Sequence, residues 1–342
     1  MKVCVIGASG YTGRELVTLL LSHPEVQLKR ITSRALSGEL LVDHMPYLRQ
    51  WANNLAFTNP SITDLAEEED IEVFFLALPH GTAANYAVPL LSAGKKVIDL
   101  SADFRIRSST TYEEFYGAPH PAPQLLSIAQ YGLPELHELS WEHSSLIASP
   151  GCYPTSAIIP LAPLLKNSLI EPNDIVINSM SGISGAGRNA TEKLIYCERN
   201  ENASAYGLPK HRHLSEMEEQ LSQFNGSPVQ LTFQPHLAPM NRGICTTISA
   251  RVVAGITEDQ ILDCWHDQYG HKPFVSILRN GSFPEVKNVS GTNGIDISAH
   301  TDPRTGRISL CSTEDNLIKG AGGQAIQSMN LCQGFDECSG LR

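Results

Sequence analysis

Strand, glycine turn and helix follow one another within the first 24 residues, and no other feature constrains the fold of this chain as strongly. Residues 2–6 (KVCVI) are a short apolar run, residues 7–13 read GASGYTG, and RELVTLLLSH then repeats apolar positions at helical spacing up to Pro24. Gly7, Gly10 and Gly13 form a G-x-x-G-x-x-G variant of the dinucleotide fingerprint. Such glycines allow a tight turn and let the backbone approach a pyrophosphate at a helix N-terminus. The glycines alone would be a weak signal, and the flanking strand and helix give them the required setting. The second strand, 27–32, ends in Thr32, Ser33 and Arg34 rather than in the acidic residue that binds a ribose 2′-hydroxyl. Ser33 and Arg34 are placed to take a 2′-phosphate, which favours NADP; the competing reading of Arg34 is a solvated loop charge.

Apolar runs at 71–79, 96–101 and 145–149, with a helical stretch at 82–91, predict an α/β fold: a doubly wound parallel sheet of the Rossmann type, covered on both faces. Ligands bind such sheets at the carboxyl ends of the strands. The turn Leu78-Pro79-His80-Gly81, the segment SADFR (101–105) and the segment SPGCYPT (149–155) all fall at that edge. Cys152 in the last of these precedes an apolar helical run, AIIPLAPLL at 157–165. A thiol on a tight turn into a helix start gains from the helix dipole and becomes a nucleophile. The alternative is a buried thiol acting as a small apolar residue.

Beyond that helix, a strand at 174–180 enters SGISGAGR (181–188), a loop that either cradles an oxyanion or only connects two elements; Arg188 favours the anion. His211 and His213 precede a segment in which Ser215 and Glu218 match a capping box. Histidines spaced i, i+2 in a loop point in different directions, so one suits acid/base work and the other a structural or substrate contact. His236, between Pro235 and Leu237, reads as a structural histidine. Gly320, Gly322 and Gly323 before a terminal helix allow close approach to the cofactor or the first domain, and the residues after Gln333 read as a loosely held tail. The expected division is an NADP-binding domain of 1–150 with about 315–342, and a second domain of 151–314.

With 25 Lys and Arg against 36 acidic residues and a formal net charge of -11, a nucleic-acid partner is not expected. The 8 cysteines show neither a CxxC pair nor metal-ligand spacing, so no metal and no disulfide framework is expected. No signal peptide and no apolar run of membrane-spanning length is seen, which points to a cytoplasmic protein without a membrane partner.

GASGYTG, DLSADFR (99–105), YGLPE (131–135), PGCYPT (150–155), SGISGAGR, HRH (211–213), PHLAPMNRGI (235–244) and DNLIKGAGGQA (315–325) occur in order across essentially the whole chain. Together they resemble the N-acetyl-γ-glutamyl-phosphate reductase family, within the aspartate-semialdehyde dehydrogenase superfamily. The chain departs from the family pattern at Ser149, where Asn commonly precedes PGC, and at Leu214-Ser215, where Thr-Pro commonly follows HRH. The resemblance implies a second, α+β domain with a mixed sheet for catalysis and dimerisation, and a homodimer or homotetramer. It also implies NADPH-dependent reduction of N-acetyl-γ-glutamyl phosphate, an acyl phosphate, to the semialdehyde, in arginine biosynthesis. Cys152 would form a thioester; His211, as an imidazolium, would hold the thiolate and act as acid/base, oriented by Glu216, with His213 as runner-up. Gly7, Ser9, Gly10, Tyr11, Thr12, Gly13, Ser33, Arg34, Pro79, His80, Ser184, Gly185 and Asn316 would meet the cofactor. Arg105, Arg188, Arg242 and His213 would meet the anionic substrate. Reductases of N-acetyl-aminoadipyl phosphate or aspartyl phosphate would share these residues, and a non-catalytic NADPH-binding sensor would share the first domain.

Overall fold

The apolar runs of the first part of the chain assemble into seven strands in the computed structural model, which describes residues 1–279 and 281–342. They are β1 (Lys2–Ile6), β2 (Gln27–Thr32), β3 (Phe57–Thr58), β4 (Val73–Leu76), β5 (Lys96–Asp99), β6 (Gln130–Tyr131) and β7 (Leu146–Ala148). Their order is β3-β2-β1-β4-β5-β7-β6, and every pair is parallel. Side chains alternate between two apolar clusters, as strand geometry requires. Val3, Val5, Phe75 and Ile98 join one cluster with Leu16, Val17 and Leu20 of the Tyr11–Leu21 helix; Cys4, Ile6, Phe74 and Val97 join the other with Ala84, Ala87 and Leu90 of the Ala83–Ser92 helix. Both faces are therefore covered, and the strand order reverses between β1 and β4, the switch point at which such sheets open a crevice.

One compact unit comprises Met1–Pro150 and Ala321–Arg342, the other Gly151–Gly320. The residues after Gln333 are not a loose tail. Asn330 Nδ2 donates to the Glu337 and Ser339 carbonyls at 3.2 and 2.9 Å, Gly340 lies against the His23 ring, and Leu341 packs on the apolar cluster.

In the second unit β8 (Ile170–Ser181), β9 (Ser204–Ala205), β10 (Leu231–Leu237), β11 (Ile244–Val252), β12 (Val275–Ile277), β13 (Ile295–Asp302) and β14 (Arg307–Glu314) form a mixed sheet in the order β12-β13-β14-β11-β8-β10-β9. Against it packs the Cys152–Lys166 helix, which starts five residues before the apolar run that announced it. Pro160 and Pro163 lie inside this helix. Each removes the N–H that would bond the carbonyl four residues back, here those of Ser156 and Ile159. Side chains take both acceptors: Ser312 Oγ donates to the Ser156 carbonyl at 2.7 Å and Tyr269 Oη to the Ile159 carbonyl at 2.6 Å. Trp265 Nε1 adds a bond to the Pro160 carbonyl at 3.0 Å, so sheet and neighbouring helix pin this helix in place.

Candidate active site

Cys152 is the first residue of the Cys152–Lys166 helix, half-buried, with Gly151 at the N-cap and no side chain capping it. The backbone N–H groups of the first turn and the positive end of the dipole lie beside the thiol. Two groups fix the turn. Glu216, fully buried and 65 residues on, accepts the Gly151 N–H at 2.9 Å. Gly320 closes the other side: a Cβ there would lie 2.7 Å from Cys152 Cβ and 2.7 Å from Glu314 Oε1, so only glycine fits. Its close approach is thus to the thiol-bearing residue of its own unit. Burial raises the thiol pKa of Cys4, Cys245, Cys264, Cys311, Cys332 and Cys338, in Cys332 to about 12, and none of these six begins a helix.

His211 and His213 do not lie in a loop with rings turned apart. His211 is the N-cap of the Arg212–Asn225 helix, its Nδ1 accepts the His213 N–H at 3.1 Å, and the two rings are 5.0 Å apart. Because a ring nitrogen caps the helix one turn early, Ser215 and Glu218 form no capping box. Ser215 Oγ donates to the Arg212 carbonyl at 2.9 Å, and Glu218 Oε1 accepts the Leu231 N–H at 3.2 Å. Tyr206, Phe233 and Tyr153 surround the His211 ring, with centroids 5.4, 5.4 and 5.7 Å away. Burial, then the Arg212 charge, pulls the His211 pKa down to about 4. The ring is therefore neutral at neutral pH, and with Nδ1 accepting, its proton is assigned to Nε2. A neutral ring accepts or donates hydrogen bonds but adds no positive charge beside Cys152, which leaves the helix start as the positive pole at the sulfur. Glu216, expected to orient His211, holds with its carboxylate the turn that carries Cys152. Tyr206 Oη donates to Tyr153 Oη at 2.9 Å. Burial raises the pKa of both tyrosines, that of Tyr206 to about 12, and the Cys152 charge adds to the rise in each, placing both hydroxyls within electrostatic reach of the sulfur.

The three arginines expected at the substrate part ways. Arg242 grips the buried Asp315 carboxylate with two nitrogens, Nε at 2.9 Å and Nη2 at 3.1 Å. Arg105 is buried, with Nε donating to the Ser149 carbonyl at 2.7 Å and Nη2 to the Leu100 carbonyl at 2.8 Å, and so ties the end of β7 to the loop after β5. Arg188 stands on the exposed end of its loop. Ser184 and Asn316 meet, Asn316 Nδ2 donating to Ser184 Oγ at 3.0 Å while its Oδ1 accepts the Gly243 N–H at 2.6 Å. Gly185 lies close by, its would-be Cβ 3.7 Å from Asn316 Nδ2. His236 is the structural histidine expected, Nδ1 donating to the Gln234 carbonyl at 3.1 Å.

At the switch point of the parallel sheet, the glycine turn sorts its three glycines by cause. Gly7 has φ +87°, and a Cβ there would lie 2.3 Å from the Ala77 carbonyl oxygen; one at Gly13 would lie 2.4 Å from that of Gly7. One at Gly10 would meet nothing nearer than 3.8 Å. The fold itself demands Gly7 and Gly13, whereas the absent side chain of Gly10, N-cap of the Tyr11–Leu21 helix, leaves the way to that helix start open for an anion. Tyr11 and Thr12 begin the helix, Ser33 Oγ donates to Ser9 Oγ at 3.0 Å, and Arg34, Pro79 and His80 are exposed.

Residues 2–143 match the semialdehyde dehydrogenase NAD-binding domain and residues 152–316 the semialdehyde dehydrogenase dimerisation domain. An N-acetyl-gamma-glutamyl-phosphate reductase of Akkermansia muciniphila is 49% identical over 342 residues, covering 100% of this chain and 98% of that protein. The chain belongs to the N-acetyl-γ-glutamyl-phosphate reductase family. A second member of the family, from Desulforudis audaxviator, is 45% identical over 100% of this chain and 98% of its own length. The fold extends beyond the family. Aspartate semialdehyde dehydrogenase II of Vibrio cholerae, in complex with ASA, superposes with a TM-score of 0.72 at 17% identity over 97% of this chain and 98% of that one. The enzyme of Candida albicans, solved with NADP, gives 0.69 at 16% identity over 97% of this chain and 98% of that one.

Within this family member, sequence reasoning missed the residues that act through tertiary bonds. Tyr206 and Glu314 near the thiol carry no motif spacing of their own, and Tyr153 and Asp103 stand in PGCYPT and DLSADFR without any residue type that by itself announces a role.

Proposed function

We propose that this chain reduces N-acetyl-γ-glutamyl phosphate to N-acetyl-L-glutamate 5-semialdehyde with NADPH, releasing inorganic phosphate, as a step of arginine biosynthesis. The observation that carries the reading is the uncapped helix start at Cys152, fixed by Glu216 and Gly320; membership of the family supports the substrate. The Cys152 thiolate forms a C–S bond to the acyl carbon as the C–O bond to phosphate breaks, and phosphate leaves with that electron pair. Bound NADPH supplies a hydride to the thioester carbon. The Cys152 N–H and the His211 Nε2–H donate to the carbonyl oxygen while it carries charge. The oxyanion then collapses, the C–S bond breaks, and the thiolate returns to the helix start as the aldehyde leaves.

The open cradle at Gly10 fits a pyrophosphate, and Ser33 and Arg34, without an acidic neighbour at the end of β2, suit the 2′-phosphate of NADPH. Pro79 and His80 line the same crevice. We assign the substrate's anionic groups to Arg188, exposed at the end of the SGISGAGR loop, and to His213, 5.0 Å from the His211 ring. A cytoplasmic homodimer or homotetramer belongs to the same proposal, supported on the oligomer side by the dimerisation-domain match.

Steady-state rates with N-acetyl-γ-glutamyl, N-acetyl-aminoadipyl and aspartyl phosphates test this reading. A kcat/KM at least about tenfold higher for the first is expected, the scale one methylene can supply. Preference for either of the others would overturn the substrate assignment.

A further inference from the structure

We propose that Asp103 is a positioning residue for the cofactor: its carboxylate sets the shape of the exposed turn at 79–81 on the rim of the switch-point crevice. The inference rests on the NADPH reading above. Asp103 is fully buried. Its Oδ1 accepts the Gly81 N–H at 2.6 Å and the Tyr112 hydroxyl at 3.0 Å, and its Oδ2 accepts the Ala84 N–H at 3.0 Å. The Ala83–Ser92 helix has Thr82 at its N-cap, yet the Thr82 side chain makes no capping bond. A carboxylate 19 to 22 residues along the chain does that work instead. A local cap would fix only the helix, whereas this one fixes the turn to the loop after β5.

That loop is itself held. The Asp103 N–H donates to Ser101 Oγ at 3.1 Å, and Ser101 Oγ donates to Asp99 Oδ2 at 2.8 Å, at the carboxyl end of β5. His120 donates from Nε2 to the Asp103 carbonyl and stands edge-on to Tyr112, with ring centroids 4.6 Å apart. Tyr112 stacks on Tyr116 at 4.6 Å, and Tyr116 meets the His80 ring edge-on at 5.4 Å. The turn is thus gripped through its amides from below and through His80 from the side. On its other flank the chain leaving β4 runs along the glycine turn, the Ala77 oxygen and Leu78 Cδ2 lying 2.3 and 3.2 Å from where a Gly7 Cβ would stand. A change in the 79–81 turn therefore alters the width of the crevice beside the pyrophosphate cradle.

The test is direct titration of the full-length protein with NADPH by fluorescence, together with amide hydrogen exchange at 79–84. For Asp103→Asn, a rise in Kd of about tenfold is expected, the effect of one charge-assisted hydrogen bond. Faster exchange of the Gly81 and Ala84 amides should accompany it, with the KM for acyl phosphate moving less than the KM for NADPH. Ser101→Ala, a milder variant that loosens the carboxylate without removing it, should shift Kd in the same direction by about threefold. Faster exchange at an unchanged NADPH Kd in both variants would reduce Asp103 to a helix cap and overturn the inference. A wild-type protein that binds no NADPH would instead overturn the functional reading.

Discussion

His211 divides its work between two ring nitrogens. Nδ1 caps a helix by accepting the His213 N–H, and that bond leaves Nε2 to carry the proton that the proposed mechanism offers to a developing oxyanion. The two tasks can be separated. Asn at the same position still caps through its side-chain oxygen but places no ring N–H at the site. His211→Asn is expected to keep near-wild-type thermal stability while kcat falls about 100-fold. His211→Ala should lose both, with about 1 kcal/mol of stability gone from the cap. A His211→Asn enzyme with wild-type kcat would remove the ring from the chemistry. The motif HRH marked this position in the sequence, but the bond that joins the two halves of the site, Glu216 to the Gly151 N–H, spans 65 residues and no local pattern announces it. Arg242 and Arg105, both in matched motifs, brace Asp315 and the Ser149 and Leu100 carbonyls, contacts that no local pattern announces.

Elements were legible where hydrophobic spacing decides them. The first strand ended where its apolar run ended, because a strand buried on both faces is apolar throughout, whereas β2 keeps Gln27 and Lys29 exposed. Helix starts were less legible, since a histidine nitrogen can cap as a serine hydroxyl does and prolines can sit within a helix when other side chains take the released carbonyls. The loop after β5 adds a pH response. Burial, and after it the charge of Asp103, raises the Asp99 pKa from 3.8 to about 7. The folded protein therefore holds this proton more tightly than the unfolded chain. Its stabilising contribution is complete below about pH 3.8 and is lost as pH rises towards about 7. Asp99→Asn removes this dependence, so its melting temperature relative to wild type should climb between pH 5 and pH 8. A difference constant across that range would show that Asp99 titrates normally in the folded state.

Over the whole molecule, the chain passes between its two units at Pro150–Gly151 and at Gly320–Ala321, and both ends of the second unit meet at one residue. Gly151 caps the helix that Cys152 begins, and Gly320 packs against the Cys152 Cβ. Cys152 is thus held by both ends of the second unit rather than by one element. The most direct test mixes the enzyme with N-acetyl-γ-glutamyl phosphate in the absence of NADPH, measures phosphate release by rapid quench, and locates the acyl group by mass spectrometry of the trapped protein. The mechanism predicts a burst of about one phosphate per active site, an acyl adduct on the peptide bearing Cys152, and neither in Cys152→Ser. Phosphate released only when NADPH is present, or an adduct on another residue, would contradict it.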